Sequence, residues 1–235
     1  MTPTWRATAD VLVADLQTIF ATRLRAVVAY GPRLEEEAGT SLTCFALVDS
    51  LTARDLETCA GRAAGWDQAG LATPLLLTAG EFQESLDAFP LEFGEIIRTH
   101  ARVYGTDPFE GIAIDPADGR RACEHQVRSH LLHLREGYME SGGRPQPLAE
   151  LVTYSAPAFV ALLRTLAGLA GTVPAGRINA TLEGARIAGV GEGVVRDLLA
   201  LERSSAVPMA DAARLFPEYL ASVEQLVRTV DAWRT

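Results

Sequence analysis

Residues 26–49 hold the types and spacings that bear most directly on chemistry. They run Ala-Val-Val-Ala-Tyr-Gly-Pro-Arg and, after Leu34, Glu-Glu-Glu-Ala-Gly-Thr-Ser-Leu-Thr-Cys-Phe-Ala-Leu-Val-Asp. One apolar run ends at Tyr30-Gly31, a polar loop follows, and a second apolar run extends from Leu42 to Val48. A glycine turn at a strand end can aim backbone N–H groups at a phosphate. Carboxylates beside it would hold a hard cation such as magnesium through oxygen. Pro32 works against the first role, because it removes a donor and fixes φ. The carboxylates on offer are Glu35, Glu36 and Glu37, early in the loop, and Asp49 at the far end of the second run. Leu42 and Phe45 offer no ligand, and Cys44 offers a soft sulfur that magnesium does not favour.

A second dense segment is the helix-patterned stretch 117–140. Arg121, Arg128 and Arg135 recur every seven residues and so share one side, beside an apolar stripe of Cys123, Val127, Leu131, Leu134 and Tyr138. Two readings stand. The arginines line a cleft and face a phosphate or acidic partner, or they form a solvated face steadied by Glu124 and Arg128 at i, i+4. His125, His130 and His133 lie on the same helix, and His130 and His133 at i, i+3 have the spacing to share a transition metal. No third ligand is placed by spacing, so packed or surface histidine is the preferred reading. Gly189-Val-Gly-Glu-Gly lacks a preceding strand and a lysine, so it reads as helix caps rather than a phosphate loop.

The layout of residues 26–49 resembles the core of the nucleotidyltransferase superfamily, of the minimal or kanamycin-nucleotidyltransferase type. Those enzymes move a nucleoside monophosphate from a triphosphate to an acceptor. The resemblance implies a first strand ending in Gly-Ser and a second carrying Asp-x-Asp or Asp-x-Glu about ten residues later. Here Pro32 replaces the serine, and Leu42 and Cys44 stand where the aspartates belong. The third carboxylate falls in Pro-Leu-Leu-Leu-Thr at 74–78, which has none; Glu81 beyond it reads as a cap partner of Thr78. The implied chemistry needs metal to offset charge on the triphosphate, so the resemblance points to a degenerate member. The spacing Arg128-x-x-x-x-His133 also fits, loosely, the helical RNA-cleaving toxin domains that accompany nucleotidyltransferase-like antitoxins. The polar or aromatic residue usual after that histidine is Leu134 here.

The formal net charge is −9, which argues against general nucleic-acid binding. All 21 basic side chains are arginine, as a GC-rich genome would give, so no lysine serves as nucleophile or tunable base. The beginning Met-Thr-Pro-Thr-Trp-Arg lacks a signal-peptide pattern, and no uninterrupted apolar run reaches spanning length. A cytoplasmic, non-membrane protein is expected. Cys44, Cys59 and Cys123 have no metal-ligand spacing; Cys44 and Cys59 are expected to behave as small buried apolar groups.

Periodicity predicts a helix at 5–24 with Thr4 as N-cap and Val11, Leu12, Leu16, Ile19, Phe20 and Leu24 on one side. Strands follow at 26–30 and 42–48, and a helix at 53–68 with Leu56, Cys59, Ala60 and Ala63 on one face. A third, buried strand is expected at 74–78, a helix at 80–100 broken at Pro90, and a short strand at Arg102-Val-Tyr-Gly. Beyond Ile114-Asp-Pro-Ala-Asp-Gly every segment reads as helix: 117–140, 147–170, 175–188, 191–203 and 208–233, with Pro157 and Pro217 as kinks or breaks.

The expected fold is α+β: a small mixed β-sheet, nucleotidyltransferase-like, over 1–115, then an all-α helical bundle over 116–235. The remnant nucleotide-binding turn is assigned to Tyr30, Gly31, Pro32 and Arg33, with Arg121, Arg128 and Arg135 as cleft-facing candidates. No catalytic or metal residue is assigned. The expected function is a catalytically silent scaffold that binds a protein partner or a small-molecule ligand without cofactor. Two alternatives stay open. One is an active nucleotidyltransferase whose magnesium is held by Glu35, Glu36 and Glu37 or by Asp49. The other is an antitoxin-like interaction protein. The apolar C-terminal residues Leu215, Leu220, Val223, Leu226, Val227, Val230 and Trp233 suit packing within the bundle or a homodimer.

Overall fold

The computed structural model describes residues 4–35, 41–172, 174, 176–201 and 208–233. The chain divides into two compact units, Met1–Asp115 and Pro116–Thr235. In the first, α1 (Thr4–Phe20) leads through a 3₁₀ turn into β1 (Leu24–Tyr30). Next come β2 (Thr43–Val48), α2 (Ala53–Ala60), α3 (Ala63–Gln68), β3 (Leu75–Thr78), α4 (Ala79–Ala88), α5 (Pro90–Thr99) and β4 (Ala101–Gly105). Among the described residues the strands form one mixed sheet in the order β3-β2-β1-β4. β1 runs antiparallel to β2 and β4, while β2 and β3 are parallel.

Strand alternation sorts the sheet residues onto two faces. Val27, Ala29, Leu42, Cys44, Ala46 and Val48 join one core with Leu12, Leu16 and Phe20 of α1, Cys59 of α2 and Trp66 of α3. Val28 and Phe45 point the other way, into a core with Phe82 of α4, Phe93 and Ile96 of α5, and Phe109. Two capping boxes start the helices that follow the parallel strands β2 and β3, Thr52–Asp55 on α2 and Thr78–Glu81 on α4. The 3₁₀ turn after α1 is tied to the start of α2 by Arg23, which donates two N–H bonds to the Asp55 carboxylate at 2.9 and 2.8 Å.

The second unit is helical: α6 (Pro116–Ser141), α7 (Pro145–Leu169), α8 (Arg177–Ala188), α9 (Glu192–Leu201) and α10 (Met209–Ala232). Its core is aliphatic with a few aromatics, including Val127, Leu134, Val152, Phe159, Leu163, Leu166, Leu198, Leu215, Tyr219, Val223 and Leu226. Gly184 makes the tight crossing of α8 over α7 possible, since a Cβ there would lie 1.8 Å from the Leu163 carbonyl oxygen. Among the described residues α7 alone is long and apolar enough to cross a membrane. It carries Glu150 and Arg164 and packs against α6, α8, α9 and α10.

Several expectations need correction. The first helix stops at Phe20, and Leu24 belongs to β1. Val11 and Leu56 are exposed, so neither helps its helix to pack. The segment 53–68 is two helices, because Gly61 and Arg62 interrupt the ladder. The third strand lies at the sheet edge and is only half-buried. Pro157 and Pro217 lie inside α7 and α10 without ending them. A missing backbone bond and a ring clash cost about 3 kcal/mol; each helix buries enough apolar surface nearby to outweigh that, at roughly 1.5–3 kcal/mol per large side chain. Tyr138 is largely exposed at the end of the α6 stripe and stacks on Phe216 with centroids 4.5 Å apart. The Thr4 side chain, and hence its cap, lies outside the described residues.

Candidate functional site

The turn after β1 is built around one residue that must be glycine. Gly31 sits at φ +84°, and a Cβ there would lie 2.8 Å from Thr43 Oγ1. Thr43 is not free to yield, because its hydroxyl donates to the Tyr30 carbonyl at 2.6 Å. The chain then makes a 3₁₀ turn, Pro32–Glu35, closed by the Leu34 N–H on the Gly31 carbonyl at 3.1 Å. Burial pushes the Tyr30 phenol above its ordinary range.

Register decides what the neighbouring strand presents at this turn. Tyr30 pairs with Thr43 and Val28 with Phe45, so these four share a sheet face. Leu42 and Cys44 face the opposite core and are fully buried against α1, α2 and α3. Burial raises the Cys44 thiol to about 12, which keeps it protonated. Neither residue lines the Tyr30 side of the turn, contrary to the placement drawn from the sequence. What does is Thr43, committed to a backbone carbonyl, and Phe45.

Phe45 is closed off. Its ring lies 5.5 Å from Phe82, 6.4 Å from Phe93 and 5.6 Å from Phe109, centroid to centroid. Each such pair adds about 0.5–1.5 kcal/mol beyond the area it buries. His100 meets Phe109 edge-on at 4.8 Å, and its Nε2 meets the Asp107 carboxylate at 3.0 Å. Sequence reading missed the cluster because Phe82, Phe93 and Phe109 come from three later segments. Alternation along β2 puts Thr43 and Phe45 on one face, but which face that is follows only from the pairing with β1.

Residues in and beside the turn pack in different directions. Tyr30 packs on the aromatic face, whereas Leu34 packs against the opposite core. Arg33 reaches beside Gly70, in the loop that follows α3. Of Pro32 only the backbone, in the 3₁₀ turn, is described.

The carboxylates proposed as substitutes fare differently. Asp49 follows the end of β2 that pairs with Leu24, so six residue steps of antiparallel ladder separate it from the Tyr30 end, about 20 Å. It pairs there with Arg25, whose guanidinium it holds above the ordinary range. Glu36 and Glu37 lie outside the described residues, as does the Glu35 side chain. Among the described residues no three His, Cys, Asp or Glu side chains group to hold a metal ion. A hard divalent cation of the kind the resemblance implies would find Thr43 and Phe45 on this face of β2, and that pair does not fit it.

The arginines of α6 have partners within the bundle. Arg128 donates to Asp231 at 2.6 Å and to Glu124 at 3.3 Å, and Arg135 donates to Glu224 at 2.6 Å. Their seven-residue spacing on α6 matches that of Glu224 and Asp231 on α10. Arg121 pairs with Asp118 one turn back. Of the histidines, His133 is exposed and meets Glu136. His130 points into the bundle, where its Nε2 lies 2.7 Å from the Tyr219 hydroxyl. The two therefore do not form a metal pair.

Comparison with known proteins gives one line of likeness. No protein-family model matches the chain, and no curated protein sequence matches it. The structure is similar to that of a spectinomycin adenyltransferase from Enterococcus faecialis, solved with ATP and spectinomycin. The TM-score is 0.60 over 96% of this chain and 98% of that one, at 13% sequence identity. The chain therefore has a nucleotidyltransferase-like α+β fold, a small mixed sheet followed by a helical region.

Proposed function

We propose that this protein is a catalytically silent member of the nucleotidyltransferase-like fold, acting as a scaffold that binds a small-molecule ligand or a protein partner. One observation carries the reading. On the sheet face beside the Gly31 turn, β2 offers Thr43, bonded to the Tyr30 carbonyl, and Phe45, buried in an aromatic cluster. Those are the side chains a metal–triphosphate would meet there, and neither supplies the anionic oxygen that a hard cation takes. Asp49, the carboxylate at the end of β2, is paired with Arg25 away from the turn.

The whole-length likeness to an adenyltransferase supports a second reading, an active enzyme using carboxylates from the loop at Glu35, Glu36 and Glu37. Pyrophosphate release separates the two. The protein is incubated with magnesium and each nucleoside triphosphate in turn, with spectinomycin as a trial acceptor. The scaffold reading expects no release above the rate without protein. Release that depends on magnesium and disappears in a triple glutamate-to-glutamine variant at 35, 36 and 37 would overturn it.

A further inference from the structure

The helical unit contains a buried polar chain that the scaffold reading does not use. Tyr219 of α10 is fully buried and its hydroxyl lies 2.7 Å from His130 Nε2 on α6. Ser155 of α7 acts on the same hydroxyl, and its own Oγ–H donates to the Leu151 carbonyl at 2.7 Å. Phe159 of α7 stacks near the imidazole, with centroids 6.2 Å apart and planes 20° from parallel, and meets Tyr219 edge-on at 5.3 Å. One side chain from each of α6, α7 and α10 thus meets in a place lined by aromatic carbon. From the geometry we infer that His130, Tyr219 and Ser155 form an acid-sensitive latch, whose protonation loosens the helical unit while the αβ unit stays folded.

The physical argument begins with the surroundings of His130. α10 presents Tyr219, a phenol that burial keeps protonated. α7 presents Ser155 and Phe159, which carry no charge, and α6 itself adds His133, whose charge opposes a second one nearby. Among the described residues no carboxylate acts on the ring to favour its cation. Burial first, and His133 second, lower the imidazole to about 4 from its ordinary 6.5. The opened state binds the proton more readily, so the latch is at full strength above about 6.5 and weakens as pH falls towards 4. Across that window the opening constant rises up to about tenfold per pH unit.

The αβ unit responds later. Its Asp55 carboxylate is depressed, chiefly by the Arg23 hydrogen bonds, so that contribution is intact above about 3.8 and is lost only below. The helical unit therefore yields first on acidification.

The full-length protein tests this by NMR and by urea unfolding at pH 7, 6, 5 and 4.5. The His130 ring proton should titrate well below 6.5; titration near 6.5 would overturn the proposal. Urea midpoints read from backbone amides of α6, α7 and α10 should fall with pH, while those of β1 and β2 hold. In His130→Leu the pH dependence of the helical midpoints should vanish; in Tyr219→Phe, which removes the hydroxyl held by His130 but keeps a buried imidazole, the helical midpoints should drop at every pH while their pH dependence persists. Helical midpoints that fall equally in wild type and His130→Leu, or sheet midpoints that fall in step with them, would contradict the latch. The wild-type titration decides the matter even if His130→Leu does not fold.

Discussion

Phe45 of β2 lies directly opposite Val28 of β1, and its ring packs 5.5 Å from that of Phe82 on the sheet face that carries Tyr30. This contact turns what would be an open face beside the Gly31 turn into a packed one. Phe45→Ala should destabilise the αβ unit by about 3–5 kcal/mol, the usual range for a buried phenylalanine. Phe45→Asp should prevent that unit from folding, because a carboxylate among three rings has no partner. Thermal unfolding of both variants checks this. A Phe45→Asp protein as stable as wild type would show that the face is open after all.

The Gly31 turn should behave as a steric site. Gly31→Ala places a Cβ against Thr43 Oγ1 at a φ that alanine rarely adopts. A loss of about 1–3 kcal/mol is expected. In a Thr43→Ala background the clash is gone and only the backbone strain remains, so the same substitution should cost about 1 kcal/mol less. Urea denaturation of the four proteins measures the coupling, and strict additivity would speak against the contact.

The α6 arginines should contribute little to stability one at a time. Arg128 and Asp231 are both substantially exposed, so a double-mutant cycle on the pair should give about 0.2–1 kcal/mol. The coupling should shrink in high salt. A coupling several times larger would mean that the pair is shielded from water.

Acid should act on the αβ unit through Asp55. Its carboxylate is depressed by Arg23 and by the Thr52 cap, so stability from this group is present above about 3.8 and is lost as pH falls through the lowered value. Asp55→Asn should flatten that part of the acid transition seen by near-ultraviolet circular dichroism. Identical acid curves for variant and wild type would remove Asp55 from the account.

Much of the fold was legible because hydrophobic period and punctuation agreed. The Thr78–Glu81 capping box and the break at Pro90 can be read directly from their residues. Other features depend on partners that local sequence does not name. The edge position of β3 follows from its pairing with β2 alone. The bonding of Arg128 and Arg135 needed acids on α10, 103 and 89 residues away. At the turn, the missing aspartates were visible in sequence, but the strand face was not. Only pairing with β1 shows that Leu42 and Cys44 turn away from Tyr30 and that Phe45 stands in view.

The central claim is that the face beside Gly31 no longer holds a metal–triphosphate. Calorimetric titration with ATP, GTP, CTP and UTP, each with and without magnesium, tests it most directly. The account predicts no heat that depends on magnesium for any of the four. Magnesium-dependent binding, abolished by Gly31→Ala in a protein that still folds, would contradict it and restore the enzyme reading.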